Sequence, residues 1–199
     1  AQPITIKELE VKAISDKMRV IVCTDGNLDT SEEIVSPAVK EGMAISDTST
    51  DIIKIVVVNR YQKAPLSIGF IKGTGLKRGA VAQSITHDSH NIIAIGCTDE
   101  ELAKAINEVI LQQGGITVVN GTETTTLSLP IAGLLSPLPL DEIDATYRIL
   151  ESKMQDLGST LSSLQMTLAF MSLLVIPSLK LGDKGLFNGD KFSFTTLFV

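Results

Sequence analysis

The spacing of apolar and polar positions changes period several times along the chain, and each change marks an element. Ile52–Val58 reads Ile-Ile-Lys-Ile-Val-Val-Val, apolar at nearly every position, and predicts a strand covered on both faces. Residues 19–24 form a shorter β-branched run closed by Asp25-Gly26-Asn27, which is turn chemistry. Residues 67–72 and 91–95 predict two more strands, and a short helix is expected over 76–85. Thr98-Asp99-Glu100-Glu101 has the spacing of a capping box, with Thr98 accepting from the amide of Glu101 and Glu101 reaching back. The helix it opens sets Leu102, Ile106, Val109 and Ile110 on one face and stops at Gly114-Gly115. Residues 116–119 and 124–129 flank Asn120-Gly121 and predict a hairpin. A second amphipathic helix starts at Asp141, carries Ile143, Tyr147, Leu150 and Met154 on one stripe, and ends near Gly158. The stretch 164–176 reads as a buried core element and the tail 192–199 as a final strand. Strands interleaved with helices, plus one hairpin, predict an α/β (α+β) fold: a layered domain with a mixed β-sheet and packed helices.

Composition narrows the function classes. A hydrophobic fraction of 44% with 20% charged residues belongs to a folded globular chain, whereas 4% aromatics and no Trp leave few rings to stack on a base. With 17 basic against 23 acidic residues and a net charge of −6, the chain has no broad attraction for a phosphate backbone. Nucleic acid is therefore not the expected partner. The most apolar segment, 166–176, spans eleven residues before Pro177, short of the roughly 20 that cross a bilayer. No membrane association is expected. The opening residues alternate charged and apolar side chains and resemble no secretory leader. Cys23 and Cys97 each end an apolar run and form no CxxC pair, which fits reduced thiols in a cytoplasmic protein. Lys54 and Lys180 stand in apolar surroundings, where snorkelling is a sufficient account of each. A start at Ala1, without an initiator Met, fits a piece of something larger and equally a processed N-terminus.

Two stretches carry candidate chemistry. Gly73-Thr74-Gly75-Leu76-Lys77-Arg78-Gly79 follows a strand, and its glycines with Lys77 and Arg78 keep an anion site in view. Its GxGxxxG spacing is neither a dinucleotide fingerprint nor a Walker loop, so a structural turn is the competing reading. The second stretch is His87-Asp88-Ser89-His90-Asn91, which holds both histidines of the chain. On a helix His87 and His90 would share a face and meet one metal, with Asp88 as a further ligand or orienter. Satisfied polar side chains are the bland alternative. A Ser89 nucleophile lacks the GxSxG elbow, and Cys97 has no histidine at a recognised spacing.

These blocks also carry a resemblance. Residues 52–61, Gly69-Phe70-Ile71-Lys72-Gly73, Gly75-Leu76-Lys77-Arg78-Gly79-Ala80 and His87-Asp88-Ser89-His90-Asn91-Ile92-Ile93 occur in that order. Gly114-Gly115-Ile116, 129–134 and 175–181 follow. Together they closely resemble the C-terminal region of bacterial adenine deaminases of the amidohydrolase superfamily, from about residue 50 to about 190. The resemblance implies a parent enzyme of purine salvage and adenine catabolism that turns adenine and water into hypoxanthine and ammonia. It implies a (β/α)8 barrel holding one or two divalent metals (manganese, iron or zinc) whose bound water attacks the purine. None of that barrel is in these residues, and two histidines are too few for the usual ligand set. The resemblance thus implies an accessory domain over 51–199, inactive alone, with 1–50 as the connection from the barrel. Its partners would be adenine, through the parent enzyme, its own N-terminal barrel and, in an oligomer, further copies of itself. Within it, His87, Asp88, Ser89, His90 and Asn91, with Lys77 and Arg78, are the substrate-proximal candidates. Departures occur at Thr74, where the family usually has Phe, at Leu164-Gln165, where it has Pro-Phe, and at Gly182-Asp183-Lys184-Gly185. A stand-alone anion- or metal-binding module and a purely structural or dimerisation domain are the competing functions.

Overall fold

All seven residues of Ile52–Val58 are buried, because the strand lies inside an eight-stranded sheet with both faces covered. The computed structural model describes Ala1–Val199. Its strands are β1 (Val11–Lys12), β2 (Met18–Val22), β3 (Ser31–Val35), β4 (Val39–Lys40), β5 (Met43–Ala44), β6 (Ile52–Val58) and β7 (Ser67–Lys72). They continue with β8 (Ala80–Gln83), β9 (Ile92–Gly96), β10 (Gly115–Asn120), β11 (Glu123–Ser128), β12 (Leu179–Gly182), β13 (Gly185–Asn188) and β14 (Ser193–Phe194). The helices are α1 (Asp99–Leu111), α2 (Leu140–Asp156) and α3 (Leu164–Phe170). The large sheet runs β11-β10-β8-β9-β6-β7-β2-β3, with β2 and β7 parallel and the other neighbours antiparallel. It is a mixed sheet in a layered α+β domain.

Side-chain alternation sorts the two faces. Val56, Val58, Ala82, Ile92 and Ala94 pack against Leu102, Ile106 and Val109 of α1, with Ile4 and Leu9 beside them. Ile53, Ile55, Val57, Ile93 and Ile95 face Leu150 and Met154 of α2, Leu164 and Leu168 of α3, and Leu181 and Leu186 of the β12–β13 hairpin. The helical stripes at Leu102/Ile106/Val109 and Ile143/Tyr147/Leu150/Met154 thus find the sheet as expected, from opposite sides.

Several expectations change. Residues 76–85 hold no helix; β8 occupies 80–83 instead, hydrogen-bonded to β9 on one side and β10 on the other. A short buried run of Ala and Val carries no period that separates strand from helix. The capping box is half made: Thr98 accepts from the Glu101 amide at 3.2 Å, but the Glu101 carboxylate accepts from Gly79 N (3.1 Å) and Gly121 N (2.8 Å). In the hairpin Asn120 pairs with Glu123, so the loop residues are Gly121 and Thr122, one place later than Asn120-Gly121. The apolar stretch 164–176 is only partly core, since Met166 and Val175 are exposed. The first 50 residues contribute β2 and β3 to the sheet and bury Ile4 and Leu9 under α1. No helix is long and apolar enough to cross a membrane.

Neither buried lysine snorkels. Lys54 is 1% exposed and ion-paired to Asp99 at 2.7 Å, with Leu9 O accepting a further bond at 2.9 Å. Lys180 is fully buried on β12 and donates to Leu28 O at 2.6 Å, and burial pushes its pKa from 10.5 down to about 8, against a smaller opposing pull from Asp29. Between those two values the unfolded chain keeps the proton that the folded chain has lost, so stability rises with pH there. Lys180→Met removes that contribution. Urea unfolding at pH 8 and pH 10 is expected to show a smaller rise in stability for the variant than for the parent chain. Equal rises would mean that Lys180 ionises alike in both states.

Candidate functional site at one end of the sheet

β6 and β9 run antiparallel with Val58 opposite Ile92, so the residues leaving β6 lie beside those that lead into β9. Buried Asn91 accepts from Arg60 N at 3.3 Å and donates to Ser89 Oγ at 3.0 Å. Tyr61 Oη donates to Ser89 O at 2.7 Å. The Arg60 guanidinium donates to Ala132 O at 2.7 Å and to Tyr61 Oη at 3.2 Å, with its carbon 4.9 Å from the Tyr61 ring centre. Gly133 has φ +74°, and a Cβ there would collide with the guanidinium, so glycine is what lets Arg60 lie against this turn. Ser84 Oγ donates to Gly133 O at 2.6 Å. Four segments, 59–61, 84–91, 113–115 and 129–133, therefore meet at one sheet end.

His87 lies on a turn at 87–89 and His90 directly after it, neither on a helix, and this replaces the expected shared helical face. His87 is anchored by its amide to Ala169 O at 2.8 Å and stacks on Phe170, ring centres 4.7 Å apart. His90 has φ +50° and its ring lies 5.6 Å from that of His87, tilted by 60°. Burial, with His87 and Arg60 nearby, lowers the His90 pKa, and Nδ1 accepts a long bond from Thr86 N at 3.4 Å. In the neutral ring an Nδ1 that accepts from an amide leaves the proton on Nε2. His90 presents an N–H donor, and Asp88 and Ser89 are exposed beside it. No group of three or more His, Cys, Asp or Glu side chains is placed to hold a metal. With His90 Nδ1 engaged by Thr86 N and no third donor, these residues do not fit a hydrolytic metal centre.

Three buried polar side-chain atoms lack any partner, and all three belong to this end: Arg60 Nε, Gln83 Oε1 and Thr86 Oγ1. Gln83 Nε2 already donates to Ile85 O and Gln165 O, each at 2.8 Å, which leaves Oε1 turned away without a donor. Orphaned groups of this kind are rare in a folded interior, and each needs a ligand, a water or a partner. A cavity of about 430 Å³ opens beside them, lined among others by Ala1, Arg60, Ser84, Ile92, Pro130 and Gly133; Gln83, Thr86 and residues 87–91 do not line it. Sequence reasoning picked out 87–91 but missed Arg60, Tyr61, Gln83, Ser84 and Thr86. Their signal was available: Asn59-Arg60-Tyr61 ends the strongest strand, where α/β sheets place their ligands.

Lys77 and Arg78 lie at the opposite end, beyond the length of β6, roughly 20 Å away at about 3.3 Å per residue. There the loop amides are already filled: Gly73 N and Gly75 N donate to the Asp51 carboxylate at 3.0 and 2.9 Å. Lys77 reaches Thr48 O at 3.0 Å, Arg78 reaches Asp156 O, and the α2–α3 connection closes over the loop through Lys77 N to Leu157 O (2.9 Å). The chain's own carboxylate stands where an anion would.

Comparison with known proteins follows the same blocks. The family model described as adenine deaminase C-terminal domain matches residues 27–193. An adenine deaminase of Parabacteroides distasonis is 57% identical over 100% of this chain and 36% of its own length. Adenine deaminases of Methanosarcina mazei (50% identical, 92% of this chain, 33% of theirs) and Salinibacter ruber (43%, 100% and 37%) are also similar. The chain thus spans about a third of the length of these relatives.

Proposed function

The chain belongs to the adenine deaminase C-terminal domain family, and on that premise we propose that it is the accessory part of an enzyme converting adenine and water to hypoxanthine and ammonia. The observation that carries this reading beyond family membership is the sheet end at 59–61 and 84–91, where unpartnered polar groups gather. In this reading that end faces the mouth of a catalytic barrel in the same cytoplasmic protein. The His90 N–H suits an acceptor nitrogen of a purine ring, and the Asp88 carboxylate suits an exocyclic amine. Arg60, Tyr61 and Asn91 act at one remove, fixing Ser89 and hence the turn. The metal implied for the parent, manganese, iron or zinc, belongs to the barrel, because the imidazoles here do not fit it. The turn's work is to orient the base and keep bulk water from it.

The test is a single polypeptide in which this chain replaces the matched stretch of the Parabacteroides distasonis protein. His87→Ala with His90→Ala in that fusion is expected to lower kcat/KM for adenine at least tenfold, by loss of substrate orientation. Normal turnover by the double variant would remove the turn from the substrate's surroundings.

A further inference from the structure

We propose that the apolar turn at 131–135, with Leu138 and Leu140 next to it, is the surface that docks against the deaminase's catalytic portion; this rests on the function proposed above. Ile131 and Leu135 bridge each other across the turn and are 49% and 61% exposed, while Leu138 and Leu140 are 43% and 76% exposed. Four large aliphatic side chains in ten consecutive residues, all facing water, mark an interaction site rather than the scattered exposure of an ordinary surface.

The occupant follows from what adjoins the turn. Arg60 ties Ala132 to Tyr61 and, through it, to Ser89, so one chain of hydrogen bonds joins the apolar turn to the histidine turn. The Ala1 amine donates to Arg60 O at 2.8 Å and lines the cavity beside the same turn. In the Parabacteroides distasonis protein the matched stretch is 36% of the length, which leaves a body large enough to cover the face. The covering segment has stated chemistry: aliphatic side chains for Ile131, Leu135 and Leu138. A second copy of this chain is the rival occupant.

Amide hydrogen exchange over 131–140 decides, measured in the 199-residue chain and in the fusion described above. Docking predicts exchange at least tenfold slower in the fusion, and concentration-independent exchange in the shorter chain. Equal exchange overturns it. So does protection in the shorter chain that vanishes on dilution, which would give the face to a second copy. Leu135→Glu with Leu138→Glu is expected to leave the melting temperature of the shorter chain unchanged, since neither side chain belongs to the core, yet restore fast exchange in the fusion. Adenine deamination with an unprotected turn would sink the docking and leave the proposed function standing. Protection without deamination would do the reverse.

Discussion

Asp99→Ala is expected to destabilise the folded chain by about 3 kcal/mol, because it strands a buried ammonium. Lys54 is 1% exposed on the central strand, and both Asp99 carboxylate oxygens lie 2.7 Å from its Nζ. With the carboxylate gone, only Leu9 O remains to receive that charge. Asp99 also opens α1 just after its N-cap, Thr98, where a negative charge meets the positive end of the helix dipole. Two contributions are therefore lost at once. Lys54→Met is milder, since Asp99 is 23% exposed and keeps both water and the dipole. The double variant Lys54→Met with Asp99→Ala should recover most of the loss, because an apolar replacement of a buried pair is often close to neutral. A urea-unfolding cycle over the four proteins checks this. A double variant as unstable as Asp99→Ala alone would place the loss in the helix start and not in the stranded charge.

That pair shows where sequence reading stops. Lys54 interrupts an apolar run, and nothing local says whether its ammonium reaches water or a carboxylate 45 positions later. Elements whose period is long enough were legible: α1, α2, the β10–β11 hairpin and the wholly buried β6. β8 was not, because four buried residues, Ala-Val-Ala-Gln, carry no period and its identity is fixed by partners on both sides. The glycine loop was legible as a turn but not in what fills it, since Asp51 comes to its amides only when β6 and β7 pair. At the candidate site the polar block 87–91 stood out by composition. Its helical geometry did not hold, because His87 is drawn to Ala169 and Phe170 from a segment far along the chain. Arg60 escaped notice for the same reason. Its role depends on Ala132 and Gly133, which approach it only in the folded domain.

The family resemblance, by contrast, was readable from the ordered blocks, and the match over 27–193 falls on them. What the fold adds is a division of labour between the two sheet ends. One is closed by Asp51 and the α2–α3 connection, and the other is left with partnerless polar atoms and an apolar turn.

The measurement that bears most directly on this account is ammonia release from adenine, run in parallel on the 199-residue chain and on the fusion. Deamination needs an activated water, and a hydrolytic centre takes at least three protein ligands. This chain has two imidazoles: His87 stacked on Phe170, and His90 with one nitrogen engaged by Thr86. Sustained release by the fusion is expected, with a rate at the blank for the chain alone, with or without added divalent cation. Ammonia released by the 199 residues alone, in proportion to their concentration, would contradict it.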